Sequence, residues 1–137
     1  MQLEHIGIAV EDIEQAISVY ERLLHTKCYK TEIVSSQRVH TAFFQSGESK
    51  IELLGATEAD SVIAKFIAQR GEGLHHIAFE VEDIHQEMER LQQEGFTLLS
   101  EAPREGADNK VVVFVHPKDN NGVLIELCQS KDSESLR

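Results

Sequence analysis

Leu74 to Ile84 reads LHHIAFEVEDI, and the chain has already written nearly the same stretch once, as LEHIGIAVEDI from Leu3 to Ile13. Leu3 matches Leu74, His5 matches His76, Ile6 matches Ile77, and Val10 to Ile13 matches Val81 to Ile84 residue for residue. A second echo closes each copy, Ile51-Glu52-Leu53 returning as Ile125-Glu126-Leu127. Repetition at this scale means two copies of one structural unit. Each copy opens on a histidine and closes on a glutamate.

Working outward, Ile6, Ile8 and Val10 alternate with His5, Gly7 and Ala9, the period of a strand with two unlike faces. Asp12 with Gln15 makes a helix start, and Ile13, Ala16, Ile17, Tyr20, Leu23 and Leu24 form a helical stripe that should cover the greasy face. Strands are expected near 27–34, 38–45 and 49–54, then a helix over 61–70 that Gly71 ends. The second copy repeats the order. A strand over 74–81 leads to a helix bearing Ile84, Met88 and Leu91, followed by strands near 97–100, 111–116 and 123–128. A loop from Pro103 to Lys110 and a turn from Pro117 to Gly122 lie between them. The polar residues Gln129 to Arg137 show no period and are expected to be disordered.

The reading is thus one domain over 1–137. It comprises module 1 at about 2–55, a connecting helix at about 57–72, module 2 at about 73–128 and a tail at 129–137. At 137 residues and 41% hydrophobic composition, a single globular unit is the expectation. No apolar run approaches the roughly 20 residues of a membrane helix, and no basic and apolar leader precedes the first strand, so a cytoplasmic protein is expected. Cys28 and Cys128 have no CxxC spacing and read as two reduced thiols. A formal charge of −11 argues against nucleic acid as a partner. It also means that an anionic ligand must find a local cation or a metal.

Strand parity sends His5, Glu52, His76 and Glu126 to the face opposite the helices. A lone strand histidine is more often structural than a ligand. Four residues repeated in register are another matter, because a carboxylate inside a strand is costly to bury unless paired or metal-bound. Two imidazoles and two carboxylates suit a borderline divalent cation. His75 has the wrong parity, and its counterpart is Glu4; His25, His40, His85 and His116 have no partner in the repeat.

The segments LEHIGIAVEDI, IELL, RGEGLHHIAFEVEDI and VFVHPKDNNGVLIEL resemble the glyoxalase or vicinal oxygen chelate superfamily, and within it the methylmalonyl-CoA epimerase family, over about residues 2–128. The resemblance implies an α+β fold in which two paired βαβββ modules form a cupped, barrel-like mixed sheet with helices outside. It also implies a homodimer and one divalent metal ion per chain (Co, Mn, Ni or Zn) on His5, Glu52, His76 and Glu126. One member of the family has glutamine at the position of Glu52. The chain departs from the family where Arg38 replaces a turn glycine, and where no acid stands on the strand holding His40 and Thr41.

The activity so implied is an isomerase's: epimerisation of methylmalonyl-CoA by proton transfer at the α carbon through a metal-stabilised enolate. Glu126 and Glu52 are the available acid and base. An acyl-CoA substrate needs positive charge for its phosphates, and Lys118, Arg104 and Lys110 form the best local cluster. The alternatives are a glyoxalase I-like lactoylglutathione lyase using the same ligands, or a metal-free binding protein of the same fold. An iron dioxygenase normally uses two histidines and one carboxylate, so Glu52 as an extra ligand argues against it.

Overall fold

The computed structural model describes residues 1–132. The chain divides into two compact units, one spanning His5–His75 and the other joining Met1–Glu4 to the chain from His76 onward.

In the first unit β1 (Gln2–Ala9) is followed by α1 (Ile13–Leu24), β2 (Lys30–Val34), β3 (Val39–Ser46) and β4 (Ser49–Ala56), with α2 (Val62–Arg70) after them. The strands lie in the order β2-β3-β4-β1. β1 runs parallel to β4, while β2–β3 and β3–β4 are antiparallel. Asp12 caps α1 by accepting the Gln15 N–H at 3.1 Å, and Ser61 caps α2 by accepting the Ala64 N–H. The first part of the stripe read from the sequence packs as expected, Ala16, with Ile13, Ile17 and Tyr20 beside it, lying on Ala42, Phe44 and Leu53, whereas Leu23 and Leu24 at its end are exposed. Gly55 allows this approach, since a Cβ there would stand 3.2 Å from the Ile13 Cβ. Arg38, where the resemblance expects glycine, has a φ of 56°. Its guanidinium pairs with Asp60 at 2.7 Å and Glu58 at 3.2 Å, which ties the turn to the segment before α2.

The second unit repeats the plan with β5 (Gly73–Glu80), α3 (Ile84–Gln93), β6 (Arg104–Glu105), β7 (Lys110–Val115) and β8 (Ile125–Ser130). Its strand order is β5-β8-β7-β6, with β5–β8 parallel and the rest antiparallel. Asp83 caps α3 as Asp12 caps α1, accepting the Gln86 N–H at 3.1 Å. Ile84, Met88 and Leu91 pack on Val81, Val113, Val115 and Leu127. Both units are therefore βαβββ modules of mixed sheet.

Three further expectations need correction. The strand foreseen at 97–100 is reduced to a bridge between Leu98 and Val115. The pairing resumes only at β6, because Ser100 turns the chain by donating to the Ala102 carbonyl and Pro103 has no N–H to offer a ladder. Lys110 is not on the loop but opens β7. The tail foreseen as disordered from Gln129 is ordered at its start. β8 continues to Ser130, and Gln129 is 1% exposed because its side-chain oxygen accepts the Ile84 N–H at 2.8 Å, satisfying a donor at the start of α3. Residues 133–137 of that tail lie outside the described residues. Among the described residues no helix is long and apolar enough to cross a membrane.

Candidate functional site

Register explains why the small residues of the repeat sit where they do. In the first unit Glu52 stands opposite Gly7 on β1 and opposite Phe43 on β3. In the second, Glu126 stands opposite Ala78 on β5 and opposite Phe114 on β7. Directly opposed residues share a face of the sheet. Each carboxylate is thus flanked by a side chain too small to crowd it and by an aromatic ring that keeps water away.

The histidines complete two matched pairs. His5 Nε2 lies 3.8 Å from Glu52 Oε2, and His76 Nε2 lies 3.8 Å from Glu126 Oε2. All four residues are buried. At 3.8 Å neither pair is closed by a direct charge-assisted hydrogen bond, which would need about 2.7–2.9 Å. Two ligands of one divalent ion, each about 2.0–2.2 Å from it, stand a little over 3 Å apart. Each pair is therefore spaced and constituted, nitrogen with oxygen, to meet a shared cation. Within the first unit His5 and Glu52 each offer a ligand atom for that purpose.

The phenylalanines were not foreseen as part of the site. Phe43 is fully buried, with the Tyr29 ring 6.2 Å away and Lys30 Nζ 5.6 Å from its centroid. Phe114 meets His76 edge to face at 5.7 Å, which orients the imidazole beside Glu126. The signal was present but masked. The turn between β3 and β4 is tight, at Gly47-Glu48, whereas β7 and β8 are joined by the long segment from His116 to Leu124. Phe43 and Phe114 therefore stand at different sequence distances from their glutamates.

The three basic residues expected to form one cluster have different surroundings. Lys118 is exposed in the Pro117–Asp119 turn, where its N–H donates to His116 Nδ1. Arg104 is exposed on the edge strand β6. Lys110 is 8% exposed, its Nζ 3.5 Å from Glu80 Oε1. Its alternation with Val112 and Phe114 places it on the face that carries Glu126. Cys128, on the same face, has its thiol pushed well above the ordinary range, chiefly by burial and then by the negative charges of Glu126 and Glu4. The remaining histidines stand apart: His25 ends α1, His85 is exposed on α3, and His75 packs edge-on against Phe66.

Residues 4–114 match the model of the glyoxalase/bleomycin resistance protein/dioxygenase superfamily. The chain belongs to this superfamily. The ethylmalonyl-CoA/methylmalonyl-CoA epimerase of Cereibacter sphaeroides is 39% identical, the match covering 93% of this chain and 97% of that protein. The mitochondrial methylmalonyl-CoA epimerase of Homo sapiens is 37% identical over 94% of this chain and 74% of its own length. The solved structure of Streptomyces coelicolor methylmalonyl-CoA epimerase in complex with 2-nitronate-propionyl-CoA superposes with a TM-score of 0.88. Its identity is 33%, and the match covers 95% of this chain and 97% of that one. Within the superfamily the chain thus belongs to the methylmalonyl-CoA epimerase family and is an isomerase of the racemase and epimerase class. The two βαβββ modules are those of the glyoxalase fold.

Proposed function

We propose that this glyoxalase-fold protein epimerises methylmalonyl-CoA by moving the proton on the carbon between thioester and carboxylate. The observation that carries the reading is the pair of register-matched His–Glu sites in a chain whose relatives are epimerases of that substrate. Two imidazoles and two carboxylates fit one divalent ion, with cobalt, manganese, nickel and zinc all compatible with such donors. When bound by His5, Glu52, His76 and Glu126, that ion supplies positive charge for the oxygen that becomes negative as the α proton leaves.

The remaining work falls to the chain's own side chains. Glu126 accepts the α proton and Glu52 returns one, the pair acting as base and acid. Glu126 has the first role because β8 follows directly on the turn that presents Lys118, toward which the CoA phosphates would lie. Ala78 leaves space for the substrate's α carbon beside the carboxylate, and Phe114 excludes the water that would blunt its basicity. Arg104 on the edge strand is the second cation for the CoA tail. The family resemblance also supports a homodimer.

Racemic methylmalonyl-CoA in deuterated water tests this. Deuterium should enter the α position with the protein as purified and stop on treatment with a chelator. No incorporation under any metal would refute the assignment. The lactoylglutathione lyase alternative would show itself as turnover of a glutathione hemithioacetal in its place.

A further inference from the structure

Phe43 and Phe114 hold the same place opposite their glutamates, so Gln45 and His116, each two residues further on, correspond as well. Each stands where its strand enters a turn, and each folds its side chain back onto that turn. Gln45 Nε2 donates to the Gly47 carbonyl at 2.8 Å and to the Ser49 carbonyl at 3.2 Å. His116 works in the opposite sense, its Nδ1 accepting the Lys118 N–H at 3.0 Å. One place in the repeat thus ties down a turn in both copies. The first turn, Gly47-Glu48, presents no cation, whereas the second presents Lys118.

What the imidazole holds is one residue rather than the turn as a whole. The His116 N–H is bound to the Thr97 carbonyl at 2.8 Å and Pro117 has no N–H, so Lys118 carries the first donor of the turn itself. The remaining closures do not involve the imidazole. The Asn120 and Gly122 N–H groups donate to the Pro117 carbonyl at 3.1 and 2.9 Å, and Asp119 accepts the Thr97 N–H at 3.3 Å. That last bond turns the acid next to Lys118 toward the segment after α3. The exposed Lys118 ammonium has no ion-pair partner among the described residues. On a chain of net charge −11, such a cation is what an anionic ligand can meet, and fixing its backbone beforehand lowers the ordering cost of binding.

We propose that His116 is a positioning residue, its Nδ1 holding the Lys118 backbone so that the ammonium is set in place for the phosphates of the CoA tail before they arrive. An accepting ring nitrogen carries no proton, so the ring that makes this bond has its proton on Nε2. The inference rests on the epimerase reading and adds to it the residue that prepares the cation for the CoA tail.

The metal-loaded protein tests this with two substrates, methylmalonyl-CoA and the methylmalonyl thioester of N-acetylcysteamine, which has no phosphates. His116→Leu should raise KM for the CoA thioester about 5- to 10-fold, short of the roughly 10- to 100-fold of Lys118→Met, the scale of a lost hydrogen bond to a charged group. Its kcat, its metal content and its KM for the phosphate-free thioester should not move. His116→Asn, whose Oδ1 lies as many bonds from the backbone as Nδ1, should restore the parent KM. Combined with Lys118→Met, His116→Leu should add nothing, because it acts through that lysine. An equal loss for both thioesters, an additive loss in the double variant, or an unchanged KM in His116→Leu overturns the proposal. Should His116→Leu not fold, His116→Gln, which sets its polar atoms one bond further out, must show the selective loss while His116→Asn does not; equal behaviour of the two overturns it. A native protein without turnover of methylmalonyl-CoA removes the epimerase reading and this inference together. A native protein that turns it over, alongside unchanged variants, removes only the role of His116.

Discussion

The two modules hold their glutamates in the same register and surround them differently. Glu52 faces Gly7 and a fully buried Phe43 that packs with Tyr29; Glu126 faces Ala78 and a half-buried Phe114 that orients His76. A tight turn closes the first module beyond Phe43, whereas the second has a long segment that presents Lys118. Ligand placement is thus common to both copies, because it follows from strand register alone. Substrate handling is asymmetric, because it depends on what stands beside the ligands and on the length of the turns.

The largest effect should come from breaking what the copies share. His5→Ala and His76→Ala should each lose most of the bound metal. Proton exchange should fall by on the order of 1000-fold, the scale of several kcal/mol of charge stabilisation. Metal analysis beside the exchange assay checks this. Full metal content in either variant would mean that the two pairs do not serve one ion.

Next in size is the comparison of the carboxylates. Glu126→Gln keeps an oxygen ligand and removes a base, so metal should be partly retained while exchange drops by about 100-fold or more. Glu52→Gln should be milder. Inactivity of the Glu52 variant beside a fully active Glu126 variant would exchange their roles, and two active variants would put the base elsewhere.

The same asymmetry shows what the sequence could reveal. The modules, their helices and all four His–Glu residues were legible because a period of two, the Asp12 and Asp83 caps and the repeated IEL leave marks in the local pattern. Phe43 and Phe114 were not, because they meet their glutamates across antiparallel pairs whose turns differ in length. The burial of Lys110 was hidden for a related reason: by composition it continues the polar loop Pro103–Asn109, and only pairing with β8 shows it to be the inward-facing first residue of β7. Gln129 was misread as tail because a polar residue that caps a distant helix looks like any other polar residue.

A smaller effect separates the aromatic neighbours. Phe43→Ala should destabilise by about 3–5 kcal/mol, the usual cost of emptying a fully buried phenylalanine site, with the metal affinity of the folded protein little changed. Phe114→Ala should cost less stability, since the ring is partly exposed. It should weaken metal binding severalfold, because the edge-to-face contact worth about 0.5–1.5 kcal/mol fixes the His76 ring. Denaturant melts and metal titration of the two variants distinguish these outcomes; equal losses in both measurements would mean that the rings serve only as core.

The smallest effect concerns the two thiols, one in each module. Cys28 is half-buried, its Sγ 3.3 Å from the Lys30 carbonyl. Cys128 is fully buried on the face that carries Glu126, and burial together with the nearby carboxylates keeps its thiol protonated. Since the thiolate is the species that alkylates, iodoacetamide at pH 8 should modify the native protein at Cys28 and leave Cys128 intact until the chain is unfolded. Mass spectrometry of the digested protein reads this directly. The apolar counterpart of Cys128 is Leu54, so the thiol is expected to act there as a small hydrophobic side chain, and Cys128→Val should change stability by about 1 kcal/mol or less. Alkylation of Cys128 at the rate of Cys28 would mean that the level it shares with Glu80 opens to solvent in the native protein. The contrast between an apolar first module and a dry, charged second one would then fail at that level.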